Sequence, residues 1–229
     1  MRILIKFPTR GRKEKFFDVL ESYIVCLAGT NKPRFLITLD TDDTEMAEGE
    51  IDKRLNFYRK IHNIEIFPIW GRSENKISAI NRDIHLFDDW DILLVASDDM
   101  YPTTVGYDII IDNDMQTYHP DTDGVLYYPD GYTTLNTLPI LGRKYYQRFN
   151  YVYYPGYKSF FCDNEFHIVA ELLGKHTKIG RVMFKHEHPA NTKNAFWDEL
   201  YERNNSSWKE DEELFNQRKL INFGVDNAI

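Results

Sequence analysis

Two aspartates close an apolar run: Ile92-Leu93-Leu94-Val95-Ala96 is followed directly by Ser97-Asp98-Asp99. A run of this length and aliphatic content suits a strand buried on both faces. In an open α/β sheet, ligands bind at the carboxyl edge that such a strand leads to. Adjacent carboxylates repel unless they are neutralised, and hard divalent cations take oxygen ligands of this type. A polar strand-to-loop turn would use the same residues. His186 and His188 flank Glu187, so in an extended strand both imidazoles fall on one face, to ligate a metal or to pack. Arg10, Arg12 and Lys76 are candidate phosphate partners, Arg as a rigid fork and Lys as a point charge. Exposed surface cations are the plainer reading of all three. Asp40 ends a second apolar run and can accept from a base imide or a ribose hydroxyl, or cap a turn. Asp163 and Glu165 open a helical stretch. Asp163 is expected to cap that helix, a role compatible with a carboxylate that faces a pocket, with Glu165 as the competing carboxylate.

These side chains need a frame. Ile3–Phe7 reads as a first buried strand, stopped by Pro8, with Gly11 in the turn. Phe16, Leu20, Tyr23, Ile24 and Leu27 recur at helical spacing, with Gly29 placed as a C-terminal cap. A second strand at Phe35–Leu39, a charged helix around Glu45–Lys60 and a third strand at Ile64–Ile69 follow. Ser73-Glu74-Asn75-Lys76 opens a helix carrying Ile77, Ile80, Ile84 and Leu86, and a strand over Asp91–Asp98 closes this half. Strand and helix alternate with short connections, which predicts a mostly parallel sheet with helices on both faces. The polar turns after the first, second and fourth strands then share one edge. Beyond residue 100 the expectations are a helix over Thr104–Tyr118, with Val105, Ile109 and Met115 on one side, and strands at Gly124–Tyr128 and Leu135–Leu141. A Tyr-rich, Pro- and Gly-punctuated interval follows; it runs to Tyr157 and is expected to offer two or three rings to an acceptor. After the Asp163 helix come a strand over Ile179–Lys185, stopped by Pro189, and a helical tail from Asn191 to Phe223 with Trp197, Tyr201, Trp208 and Phe215.

Composition narrows the class. The 229 residues suit one well-buried domain with an appendage. Hydrophobic residues at 42% and charged residues at 28% describe an ordinary globular chain. A formal charge of −8 gives no general attraction to a polyanion, so nucleic acid is not the expected partner. Cys26 and Cys162 alone make no disulfide framework and fit a reducing compartment. Neither a signal peptide nor a membrane span is evident, which places the expected localisation in the cytoplasm.

Taken together, these segments resemble a GT-A glycosyltransferase of the family-2 type over about residues 1–190. F-P-T-R-G-R, with Pro8, Thr9, Arg10 and Arg12, resembles that family's nucleobase loop, and L-D-T-D resembles its acidic base-binding turn at Asp40. R-S-E-N-K-I-S-A-I-N resembles the helix start beside the diphosphate, with Arg72, Lys76 and Asn81. A-S-D-D-M resembles the metal-binding motif, with Ser97, Asp98 and Asp99, although the family pattern is D-x-D. F-C-D-N-E-F resembles the segment of the catalytic base and implies Asp163 in that role, with Glu165 its rival because C-D-N-E stands where the family has E-D; H-E-H resembles the late metal-site histidine. The resemblance implies a mixed, mostly parallel α/β/α architecture with a helical C-terminal tail. It implies residues 1–100 as a nucleotide-binding half, 101–190 as an acceptor half, and 191–229 as an extension packed on the same domain. The implied activity is inverting transfer of a sugar from a nucleoside-diphosphate sugar, UDP-linked by expectation, to an acceptor hydroxyl on a glycan or another small or polymeric molecule. Manganese or magnesium would be held by Asp98 or Asp99 with His186 or His188. A sugar-phosphate nucleotidyltransferase, or a metal-dependent hydrolase using the same Asp and His residues, are the alternatives.

Overall fold

The structure, a computed structural model, describes residues 1–29, 32–188 and 199–227. Pro189, the expected 190/191 boundary and the tail from Asn191 through Trp197 lie outside the described residues, as does the side chain of Tyr201. The chain runs β1 (Ile3–Pro8), α1 (Lys13–Val25), β2 (Arg34–Asp40), α2 (Glu48–His62), β3 (Glu65–Gly71), α3 (Lys76–Asn81) and β4 (Ile92–Val95). The second half holds β5 (Met100–Pro102), α4 (Tyr107–Tyr118), β6 (Val125–Tyr127), β7 (Ile140–Gly142), α5 (Arg143–Phe149), α6 (Cys162–Leu172), β8 (His176–Lys178), β9 (Phe184–His186), α7 (Glu199–Asn205) and α8 (Trp208–Leu220).

Seven strands form one sheet in the order β3-β2-β1-β4-β7-β6-β8. Within it β7 alone runs against its neighbours, so the sheet is mixed and mostly parallel. Alternation along β1 sends Ile3, Ile5 and Phe7 to one face, where they meet Phe16, Leu20, Ile51, Leu55, Ile111 and Met115 of α1, α2 and α4. Leu4 faces the other way with Leu36 and Leu93, under Ile77, Ile80, Tyr145 and Phe166 of α3, α5 and α6. Two apolar layers on a doubly buried sheet make the α/β/α sandwich expected from the strand–helix alternation. Among the described residues, no helix is long and apolar enough to cross a membrane. Both cysteines are free thiols.

Several boundaries differ from expectation, each for a local reason. Gly29 does not cap α1; the helix ends at Val25 with Cys26 as its cap, and Gly29 lies beyond at φ 81°. The helix through Leu86 stops at Asn81, because the Arg82 carbonyl is taken by the buried Lys6 ammonium and Asp83 turns left-handed at φ 70°. Val105 is 73% exposed; Tyr107, Ile111 and Met115 form the buried face of α4. The expected strand over Leu135–Leu141 is realised only at its end, in β7, and the one over Ile179–Lys185 only at its end, in β9, while β8 precedes it. β8 joins β6 in the large sheet, whereas β9 pairs antiparallel with β5, so the chain between them must cross from one sheet to the other. The Tyr-rich interval contains α5, and Tyr145, Tyr146, Tyr153 and Tyr157 are buried core rather than exposed platforms.

Candidate active site

The carboxyl ends of β1, β2 and β4 bring three polar turns to one edge. After β4, Ser97 Oγ donates to Asp99 Oδ1 at 2.5 Å, while Arg12 Nη1 donates to Asp98 Oδ1 at 2.9 Å. The two adjacent carboxylates therefore face different partners. Burial raises the Asp98 pKa against the pull of the Arg12 cation. At Asp99 burial acts in the same sense, but hydrogen bonds and charge from His186, with the Ser97 hydroxyl, overcome it and hold the carboxyl well below the usual range.

The short β5–β9 ribbon delivers the histidine. Its register sets Met100 opposite His186, and the Glu187 amide donates to the Asp99 carbonyl at 2.7 Å. His186 Nε2 then lies 3.7 Å from Asp99 Oδ2, and Nδ1 lies 3.1 Å from Asp130 Oδ2. Burial would lower the His186 pKa, yet the two carboxylates raise it to about 9. His188 is half-buried, its ring 5.7 Å from that of His186; burial lowers its pKa against the charge of Asp99. Carboxylate oxygens plus imidazole are donors that suit manganese or magnesium, so the residues present fit such an ion.

Asp130 was missed from sequence. It lies in Pro129-Asp130-Gly131, which reads as a turn. One carboxylate oxygen does serve that turn, accepting the amides of Tyr132 and Thr133 at 2.9 Å, but the other orients His186. A carboxylate behind an imidazole in this way fixes which ring nitrogen faces the centre.

Asp163 does not cap α6. Phe161 holds the capping position at φ 60°, and Asp163 sits in the first turn with its Oδ1 accepting the Asn164 amide at 3.0 Å. Desolvation raises its pKa, with the charge of Lys76 and then His186 opposing. Lys76 also acts on Asp99. The electrostatics thus join Asp163, Lys76, Asp99 and His186 in one neighbourhood. Glu165 points elsewhere: Arg218 forks both its oxygens at 2.7–2.9 Å, and Tyr157 Oη donates at 2.8 Å.

On the β1–β2 side, Pro8 closes β1 and the buried Thr9 donates its amide to the Thr38 carbonyl at 3.1 Å. Arg10 Nη1 bridges Asp40 at 2.9 Å and Asp42 at 2.6 Å. Thr9 Oγ1 and Asp40 Oδ1 are buried without a hydrogen-bond partner among the described residues. Arg82, unnoticed in the sequence, runs across the ends of β2 and β3 and donates to the carbonyls of Leu39 at 2.9 Å and Ile69 at 3.0 Å. A Cβ on Gly71 would fall 2.5 Å from that guanidinium, so a larger residue there would have to push the Arg82 head aside. Arg72 and Lys76 are exposed at this rim. Asn81 is turned inward: its amide donates to the Tyr153 carbonyl and accepts from Val152 and Tyr153, tying α3 to the chain before α6.

A second group, His167, Glu171 and His176, brings ligand-type atoms within 4.8 Å of one another on α6 and β8. His167 Nδ1 accepts the Asn136 amide at 3.1 Å, so Nε2 carries the proton and donates to Glu171 at 3.2 Å. That tautomer makes a hydrogen-bonded cluster and leaves no lone pair on Nε2 for a cation.

No protein-family profile matches the chain, and no curated protein matches it. Solved structures do match. TarS of S. aureus superposes with a TM-score of 0.62 at 14% identity over 82% of this chain and 37% of that one. The mannosyltransferase PcManGT from Pyrobaculum calidifontis, in complex with GDP-Man and Mn2+, gives 0.63 at 10% identity over 81% of this chain and 56% of that one. The glycosyltransferase GlyE of Streptococcus pneumoniae TIGR4 gives 0.53 at 8% identity over 98% of this chain and 64% of that one. The chain thus spans less than two thirds of the length of each of these three proteins. Strand order, layer arrangement and superposition agree: this chain has the fold of the GT-A-type glycosyltransferases.

Proposed function

We propose that the chain is a metal-dependent, inverting glycosyltransferase acting in the cytoplasm, taking a nucleoside-diphosphate sugar, UDP-linked in the first instance, and an acceptor hydroxyl. The observation that carries this reading is the convergence at one sheet edge of a cation-demanding pair, Asp99 with His186, and a desolvated carboxylate, Asp163. Residues 1–100 would hold the nucleotide and 101–190 the acceptor, with the C-terminal helices packed on the same domain. Thr9 Oγ1 and Asp40 Oδ1, buried and without a hydrogen bond among the described residues, are offered to a base or ribose, with Arg82 3.8 Å from the Asp40 oxygen and Pro8 and Arg10 alongside. Arg72 and Lys76 are exposed cations on the diphosphate side, and Ser97 holds Asp99 in place. Asp98, paired with Arg12, would assist at the nucleotide rather than ligate directly.

Asp99, with His186 and His188 at its side, would hold Mn2+ or Mg2+. Such an ion, when bound, neutralises charge on a departing diphosphate. Asp163 takes the acceptor's hydroxyl proton as that oxygen bonds to the anomeric carbon, and the bond to the diphosphate breaks with its electron pair leaving on the diphosphate. One base and one displacement invert the anomeric centre. Glu165 is withdrawn from this role by Arg218 and Tyr157.

A melting screen tests the reading: UDP, GDP, CTP and sugar phosphates, each with and without Mn2+. A ligand that binds the folded state raises the melting temperature. The expected result is a manganese-dependent rise with UDP or GDP. A response to CTP with a sugar phosphate, and to neither diphosphate, would replace the reading with nucleotidyl transfer.

A further inference from the structure

Helix α8 grips the segment carrying Asp163 at two points. Asp211 is 1% exposed, and its carboxylate accepts the backbone amides of Lys158, Ser159 and Phe160, each at 2.8 Å. Seven residues further along the helix, roughly 10 Å at helical rise, Arg218 forks Glu165 and lies 3.4 Å over the Tyr154 ring. At the start of the helix, just before the first grip, Trp208 packs on Phe160 and Phe161 with ring centroids at 4.8 and 5.0 Å. Phe215 reaches Phe161 at 5.5 Å. Phe161 itself is held at φ 60° and ψ −6°, a left-handed conformation that disfavours a bulky side chain and persists only where the surroundings impose it.

The Asp163 carboxylate has no such support of its own. Among the described residues it makes one hydrogen bond, to the amide of the next residue. Its place opposite Lys76 and His186 is therefore inherited from the backbone between Phe160 and Glu165, and α8 fixes both ends of that stretch.

We propose that α8 is a splint for the base, with Asp211 and Arg218 as positioning residues that aim Asp163 at the acceptor hydroxyl. The proposal rests on Asp163 being the base. Misplacing a reacting group by about 1 Å costs on the order of 10²-fold in rate. Asp211 is the cleaner probe, because removing Arg218 also strands a buried Glu165.

The test is a double-mutant cycle on the full chain. The variants are Asp211→Ala, Asp211→Asn, Asp163→Asn and the doubles, assayed with Mn2+ and UDP-N-acetylglucosamine, UDP-galactose or GDP-mannose, using whichever nucleotide stabilises the protein. Folded Asp211→Ala is expected to bind UDP or GDP as wild type does and to lose roughly 10- to 10²-fold in turnover. Asp211→Asn, which keeps one oxygen for the amides, recovers part of the loss and carries the comparison should the alanine variant not fold. In the Asp163→Asn background the Asp211 substitution should cost nothing further, since the group it positions is gone. An equal loss in that background, or donor binding falling in step with turnover, overturns the splint. So does wild-type turnover in folded Asp211→Ala beside an inactive Asp163→Asn. Wild-type turnover in Asp163→Asn overturns the base assignment instead, and the splint with it.

Discussion

The two halves of the molecule hold their polar side chains by different means. In the first half the strands β1–β4 are continuous and buried, so Asp40, Asp98 and Asp99 emerge at strand ends and their positions follow from sheet register. The ion pairs around them run from buried, as in Arg12–Asp98, to the rim, where the side chains of Arg10 and Asp42 are 26% and 52% exposed. In the second half β5 to β9 are three residues each, and buried polar contacts take over the positioning. Asn81 fixes Val152 and Tyr153, Asp130 fixes His186, Asp211 fixes residues 158–160, and Arg218 fixes Glu165. A scaffold of strands tolerates losing a rim contact. A scaffold of buried single contacts does not.

The largest expected effect lies in the second half. Asp163→Asn should lose about 10²–10⁴-fold in transfer with donor affinity intact, the usual worth of a positioned base. Glu165→Gln should instead lose stability, since it weakens the pairing to Arg218. Steady-state rates beside urea unfolding separate the two; an inactive but stable Glu165→Gln would reverse their roles.

Next in size is the contrast in stability. Arg218→Ala leaves Glu165 charged and buried without its partner, which typically costs about 3–5 kcal/mol. Asp42→Ala removes an exposed pair of the kind worth about 0–1 kcal/mol and leaves Arg10 on Asp40. Equal losses in urea unfolding would erase the difference between the halves.

The smallest effect is a pH dependence. His186 has its pKa raised to about 9 by Asp130 and Asp99 against burial. In the metal-free protein the stabilisation from this pairing is complete below pH 6.5 and is lost as pH climbs through about 9. A cation must displace that proton, so Mn2+ affinity should rise ~10-fold per pH unit from neutrality toward about 9 and then level. His186→Ala should abolish the slope, and His188→Ala should preserve it. Proton release measured by calorimetry in buffers of different ionisation enthalpy checks the count.

How much was legible in the sequence follows the same division. The Ile92–Ala96 run, the helix start at Ser73-Glu74-Asn75-Lys76 and the β1–β4 alternation are local patterns of burial and period, and they foretold the sheet. The β5–β9 ribbon was not legible, because each strand is three residues long and makes sense only beside a partner more than 80 positions away. Asp130 carries no signal of its own in the sequence, since Pro129-Asp130-Gly131 has the composition of a turn and the carboxylate does serve one. Glu165 could not be told from Asp163 until Arg218, 53 residues on, was seen to claim it. Arg82 was lost inside a stretch whose apolar spacing continued the helix past its true end.

The most direct test of the central claim is calorimetric titration of UDP and GDP into wild type and Asp99→Ala, with and without Mn2+. Asp99 lies at the sheet edge with its carboxylate committed to Ser97 and His186, so its removal should leave the fold standing. The expected result is manganese-dependent binding of one diphosphate by wild type and none by the folded variant. Unchanged, manganese-dependent affinity in Asp99→Ala would contradict the claim that this edge is the nucleotide-sugar site.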